Sequence, residues 1–274
     1  MYKIGLSSCG FALNEENFKK LHESGIEAIE ISRSLENLKM LNYREVYELA
    51  KRYGVLLWSF HLPFMPFAEI DISSCDRDVR GSTLELHKEL ISRVSDIGID
   101  KFVIHPSGEP IAPDKREERI KYAMQSLDIL AEFAHGCGSV IAVEDLPRTC
   151  LGNTADEIQR LISANDKLRV CFDTNHLLKD DNISFIEKLG EKIITLHVSD
   201  YDLVDEKHWL AGEGVVDFYE IYSMLKKVNY DGVWLYELGL KSPKTLTRSR
   251  ELEFCDFVRN AEEIFGNKPI TRIK

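Results

Sequence analysis

A closed (β/α)8 TIM barrel follows from three features of this 274-residue sequence. Short apolar, β-branched runs alternate with longer stretches of helical spacing, and eight of each can be counted. Eight such units in about 270 residues fit a parallel barrel better than an open, doubly wound sheet. No Pro/Gly/Ser-rich linker or shift in composition divides the chain, so one domain over residues 1–274 is expected.

The elements read in order. "YKIGLSS" is the first strand and Glu15–Ser24 the first helix; "IEAIEIS" then leads into Tyr43–Tyr53. "VLLWSFH" precedes Ser82–Ile97, and "KFVIH" precedes Arg116–His135. "VIAVED" is followed by Thr154–Ser163, "LRVCFDT" by Ser184–Leu189, and "IITLHVS" by Phe218–Val228. "VWLYEL" is the eighth strand, and Lys244–Phe265 the closing helix. Gly25, Gly54, Gly98 and Gly190 stand near helix ends, where a left-handed cap is expected. The longest loops, Leu62–Gly81 and Asp200–Asp217, follow the third and seventh strands, where long βα loops build or cover an active site.

A net charge of −11 repels nucleic acid and anionic lipid, and only short mixed runs such as "DKREERIK" interrupt it. The six cysteines form no C-x-x-C pair, and no apolar stretch approaches the roughly 18 residues of a membrane span. The opening "MYKIGLSSCGF" lacks the form of a signal peptide. These features suggest a reduced, soluble, cytoplasmic protein with no nucleic-acid or membrane partner. Its assembly, as monomer or homo-oligomer, is left open.

Strand ends in a barrel converge on one mouth. Here the third strand ends in His61, the fourth in His105, and the fifth in Glu144 and Asp145. The sixth delivers Asp173 and then His176, the seventh His197 and Asp200, the eighth Glu237. Five of the eight histidines (His61, His105, His176, His197, His208) fall at strand ends or in the loops that follow. Imidazoles and carboxylates from separate strands are what a divalent cation requires, with donors at about 2.0–2.2 Å. Singly, a strand-end His can cap a carbonyl and an Asp can make a turn. Glu144 after "VIAV" and Glu237 within "VWLYEL" are harder to explain that way, because a carboxylate on a buried strand is costly unless paired or coordinated. Glu144, Asp173, His197 and Glu237 therefore make a four-ligand set for one divalent ion.

The order "VIAVED", "FDTNH", "LHVSD", "LAGEG", "VWLYEL", with "FHLPF" and "VIHPSG" upstream, resembles the xylose-isomerase-like barrel superfamily, including its sugar phosphate isomerase/epimerase members. The resemblance covers nearly the whole chain and implies a small-molecule sugar substrate. For its ketose 3-epimerase branch it implies that Glu144, Asp173, His197 and Glu237 bind one divalent ion (Mn, Co, Mg or Zn). It further implies that Glu144 and Glu237 exchange protons with opposite faces of the substrate, through a metal-stabilised enediolate. His61, His105, His176 and His208 would line the sugar pocket. Glu30 is either a hydroxyl contact or a barrel-bottom or surface carboxylate. The chain departs from that branch at Cys150, where an acidic residue is usual, and at Leu203, where an arginine is usual. Inosose-type dehydratases and hydroxypyruvate-type isomerases share the metal frame and remain alternatives.

Endonuclease IV, a three-zinc phosphodiesterase on the same barrel, is the rival from another class. Its ligand order would use His61, His105 and Glu144 for one zinc, and Glu144, Asp173, His197 and Glu237 for a second. His176, Glu206 and His208 would hold the third, with Glu206 replacing an aspartate. The acidic charge argues against a DNA substrate. Trp58, Phe60, Phe64 and Phe67 are read as core with the option of a sugar-facing wall, and Trp209 as pocket or interface. Asp76 and Arg80 either order the third loop or touch a phosphate. Cys150 has no assigned base and is read as inert.

Overall fold

In the computed structural model, which describes residues 1–273, the alternation of sequence signals becomes a barrel. The strands are β1 (Lys3–Ser7), β2 (Ala28–Ile31), β3 (Leu56–His61), β4 (Lys101–Ile104), β5 (Val140–Glu144), β6 (Arg169–Asp173), β7 (Ile193–His197) and β8 (Val233–Tyr236). All are parallel, each paired with its sequence neighbour, and β1 also pairs with β8. Between β7 and β8 the contact is the Val198–Tyr236 bridge, where Val198 N donates to Leu235 O at 2.8 Å.

Helices α1 (Glu15–Ser24), α2 (Leu35–Met40), α3 (Tyr43–Tyr53), α4 (Arg77–Ser95), α5 (Arg116–Gly136), α6 (Ala155–Ile162), α7 (Asn182–Leu189), α8 (Phe218–Lys227) and α9 (Phe254–Phe265) surround the strands. Side-chain oxygens of Asn14, Asn42, Asp76, Thr154, Asp181 and Asp217 cap six of them at the N-terminus. Gly25 and Gly54 take the left-handed conformation that ends α1 and α3.

Three expectations are corrected. The short helix α2 follows β2, started by the Ser34 side chain, in a stretch with too few residues to show a helical period. The last helix begins at Phe254 rather than Lys244. The residues before it are drawn across the mouth by an ion pair between Arg248 and Glu213 at 2.7 Å, buried on both sides. Gly190 has φ −51° and enters a tight turn over Gly190–Lys192. A glycine is needed there because a Cβ would lie 2.7 Å from the Val228 side chain.

Period-two alternation sorts the strand residues. Ile4, Leu6, Ile29, Phe60, Phe102, Val143, Phe172, Leu196, Trp234 and Tyr236 join the large core between strands and helices. The inward face carries small or apolar residues lower down, among them Ala28, Val103, Ala142, Cys171, Val233 and Leu235. Two residues further along the same strands come Glu30, His105, Glu144, Asp173 and Glu237. Register shifts beside Trp58 and Ile194 tuck an extra residue into the barrel floor, where Trp58 Nε1 donates to Thr195 Oγ1 at 3.0 Å. No described helix is long and apolar enough to cross a membrane.

Candidate metal centre

The strand-end carboxylates and imidazoles meet beneath a cavity of about 510 Å³. His197 Nδ1 is the hub: Glu144 Oε1 lies 2.9 Å away, Glu237 Oε2 3.3 Å and Asp173 Oδ2 3.9 Å. All four donor atoms fall within 4.8 Å of one another. On the far side of the ring, His197 Nε2 stands 3.1 Å from both oxygens of Glu30, which also accepts from Ser59 Oγ at 2.8 Å. A carboxylate can only accept, so Nε2 donates to Glu30. Burial opposes a charged His197, yet the carboxylates around the ring push its pKa well above the ordinary value, placing a second proton on Nδ1. A divalent cation among the three carboxylates would take the place of that proton, with Nδ1 as a ligand and Nε2 still held by Glu30. Asp173 Oδ2 is buried without a hydrogen-bond partner among the described residues. Burial pushes the Asp173 carboxyl up to about 6, against the pull of His176 and with the help of Glu237 and Glu144. Two oxygens from Glu, one from Asp and an imidazole nitrogen fit a divalent cation.

The other histidines repeat the arrangement. His61 Nδ1 donates to the Leu62 carbonyl at 2.9 Å, leaving Nε2 to face Glu144 Oε2 at 3.1 Å. His105 Nε2 lies 3.1 Å from the same oxygen. His176 Nδ1 donates to the Asp145 carbonyl at 2.8 Å and turns Nε2 toward Glu206 at 3.4 Å, while His208 Nδ1 donates to the Glu237 carbonyl at 3.1 Å. His61, His105 and Glu144 thus form a second close group, and His176, Glu206 and His208 a third. Burial opposes the Glu144 charge, yet His197 and His105 hold its carboxyl well below the usual range. Burial also opposes a charged His61, and Glu144 outweighs it, raising the imidazole to about 9.

Loops at the mouth are held by their own polar groups. Asp200 accepts from the backbone N–H groups of Tyr201, Gly212, Gly214 and Val216, which folds the segment carrying "GEG" back under the β7 loop. Gly214 is required by that close approach, since a Cβ would lie 2.2 Å from the Tyr201 carbonyl. Asp76 caps α4 and Arg80 lies over the Tyr122 ring, so this pair orders the third loop. Phe64 stacks on His105 with ring centroids 4.0 Å apart and, with Phe67, forms an apolar cavity wall. Trp58 and Phe60 belong to the interior. Burial raises the Cys150 thiol to about 12, consistent with an inert side chain.

Two expected contacts are corrected. Glu30 is neither a hydroxyl contact nor a surface carboxylate: it is fully buried, and its oxygens are turned onto His197 and Ser59. Trp209 is absent from the cavity wall, because its indole donates to Thr245 Oγ1 and the backbone of the same residue pairs with Asp200. Glu109 and Arg148 line the cavity and were not anticipated. Their position in loops directly after β4 and β5 was the available signal.

Residues 18–256 match the family described as xylose isomerase-like TIM barrel, and the chain belongs to it. The uncharacterized protein MJ1311 of Methanocaldococcus jannaschii is 28% identical over 93% of this chain and 90% of its own. A putative L-ribulose-5-phosphate 3-epimerase of Haemophilus influenzae is 26% identical, covering 86% of this chain and 88% of its own. A probable endonuclease 4 of Acholeplasma laidlawii is 27% identical over only 54% of this chain and 49% of its own. Among solved structures, a D-tagatose 3-epimerase-like protein superposes with a TM-score of 0.81 at 25% identity, over 97% of both chains.

Proposed function

We propose that the protein is a divalent-metal-dependent sugar isomerase or epimerase that moves a proton at the carbon beside a carbonyl. The observation that carries this reading is the pair Glu144 and Glu237, brought from β5 and from the end of β8 to the same His197 nitrogen at the cavity floor. A divalent ion held by Glu144, Asp173, His197 and Glu237 would supply the Lewis acidity that polarises the carbonyl and acidifies the neighbouring C–H. One glutamate, ionised, would take that proton as general base. The other, entering the cycle protonated, would give its proton to the opposite face, so that the two exchange protonation states with each turnover. His61, His105, His176 and His208 orient hydroxyl groups, each of the four with its ring on the cavity wall. Phe64 and Phe67 cover the carbon face and limit water. The likeness over most of the chain to a putative L-ribulose-5-phosphate 3-epimerase and to a D-tagatose 3-epimerase-like protein supports the assignment.

The test pairs elemental analysis of chelator-free protein with proton NMR of a panel of ketoses and ketose 5-phosphates in D2O. A single divalent ion per chain, and deuterium entering at the carbon beside the carbonyl, are expected. Absence of exchange with every sugar, in metal-replete protein, would sink the reading. Loss of water from the substrate in place of exchange would select the dehydratase alternative.

A second reading is favoured by one observation, the three adjacent donor groups that a multi-zinc phosphodiesterase would use. Against it, among the described residues the only arginine or lysine on the cavity wall is Arg148, and carboxylates surround it. Two or three zinc ions per chain, with cleavage of abasic-site DNA, would move this reading to first place.

A further inference from the structure

Two arginines stand at the mouth in opposite circumstances. Arg148 donates from Nε to both oxygens of Glu109, at 3.1 and 3.2 Å, and its Nη1 lies 2.9 Å from Asp205 and 3.0 Å from Glu206. Three carboxylates more than cancel its charge and occupy its donors. Arg33 lies just after β2, half-buried, and among the described residues its guanidinium donates only to the Phe11 carbonyl. It has no carboxylate partner among the described residues. Burial pulls its pKa down, as expected for a cation removed from water without an anion beside it.

Arg33 lines a recess of about 320 Å³ whose walls contain no Asp or Glu, whereas Glu109, Glu144, Glu206 and Glu237 line the main cavity. The two spaces share Cys9, Ser32, His61, Phe64 and Met65, which makes the recess a side chamber of the main cavity. Ser32 and Asn37 add neutral donors to its wall. In a chain of net charge −11, an acid-free chamber around an uncompensated guanidinium selects an anion. Guanidinium forks match phosphate oxygens in geometry as well as charge.

We propose that the Arg33 recess is an anion subsite that seats the phosphate of a phosphorylated sugar, with the carbonyl end of the sugar at Glu144 and Glu237. The orientation of the sugar rests on the isomerase reading above; the anion subsite does not. Arg33 fixes the substrate class from the far end, and saturated Arg148 takes no part in holding phosphate.

Calorimetric titration of inorganic phosphate into the metal-replete protein, at constant ionic strength, reads the subsite without turnover. Arg33→Gln should weaken phosphate binding about tenfold or more, Arg33→Lys should keep most of it, and Arg148→Gln should not weaken it. Phosphate affinity unchanged in a folded Arg33→Gln variant overturns the proposal. Acetate binding at Arg33 more tightly than phosphate also overturns it, in favour of a substrate with a carboxylate end. In the exchange assay, Arg33→Gln should raise KM for a ketose 5-phosphate and leave that for the free ketose unchanged. A parallel rise for both overturns the phosphate assignment. Failure of exchange with every sugar refutes the isomerase reading alone, because the phosphate titration stands without it.

Discussion

The barrel interior contains two rings that differ by a single step of strand alternation. Glu30, His105, Glu144, Asp173 and Glu237 face inward at the mouth; two residues earlier on the same strands lie Ala28, Val103, Ala142, Cys171 and Leu235. The lower ring is packed and carries no charge, and its polar neighbour Thr195 is satisfied by the Trp58 indole. The upper ring gathers buried charges, with an oxygen of Asp173 left without a hydrogen-bond partner among the described residues. One backbone thus serves stability at one level and chemistry at the next, and the electrostatic cost is confined to the upper level. Substitutions in the two rings should therefore separate activity from stability.

The largest effect is expected from Asp173→Asn. Removing one anion from the group around His197 should abolish metal retention and lower the exchange rate by about a thousandfold or more. Its thermal midpoint in chelator should be no lower than that of the wild type, because repulsion among the clustered carboxylates is relieved. Elemental analysis, the exchange assay and a melting curve test both halves. Exchange at the wild-type rate would remove Asp173 from the centre.

Leu235→Ala probes the lower ring beneath Glu237. The fully buried side chain packs with Ala28 and Val233, so truncation should cost about 2–5 kcal/mol of stability by urea unfolding. Metal content and exchange rate per folded molecule should stay near wild type. Loss of activity without loss of stability would mean that the two rings are not separable.

Glu30→Gln sharpens the boundary between them. Glu30 is on the inward face but touches no cavity, and it acts through His197. Weakening that support should lower metal affinity by about 10–100-fold, read by competition with a chromogenic chelator, while the fold persists. An unchanged affinity would reduce Glu30 to a packing role.

How far the mouth could be read in advance follows from the same geometry. A carboxylate ending an apolar run marks itself, so Glu144, Asp173 and Glu237 stand out, and barrel topology implies that they meet. Glu30 ends a strand in the same way, yet its partner lies 167 residues away, and no local pattern tells a ligand from a residue that supports one. Arg148 and Arg33 are alike as residues after strands. Only the folded chain shows that three carboxylates converge on one while none reaches the other. For Trp209 the pocket option fails, because the backbone bridge to Asp200 turns the indole toward Thr245 and off the cavity wall. The last helix starts at a capping box of Glu253 and Asp256, a local signal. The stretch from Lys244 that precedes it is held instead by the buried pair of Arg248 and Glu213, 35 residues apart in sequence, which helical spacing cannot reveal.

The smallest effect is expected outside both rings, at His87 on α4, and it serves as a control for acid titration of the mouth. His87 is buried; its Nε2 donates to the Pro63 carbonyl at 3.0 Å, and its Nδ1 has no partner among the described residues. Burial lowers its pKa to about 4, from about 6.5 in an unfolded chain. The unfolded state therefore binds one more proton than the folded state between those values. The stability due to neutral His87 is complete above about pH 6.5 and is lost as pH falls through about 4. His87→Gln can keep a donor to Pro63 without titrating, so its urea midpoint should fall less steeply over that window, by the slope of a single proton. An identical slope in the variant would assign the acid sensitivity to the carboxylate and imidazole groups at the mouth. A shallower slope would leave the two rings with only the remainder.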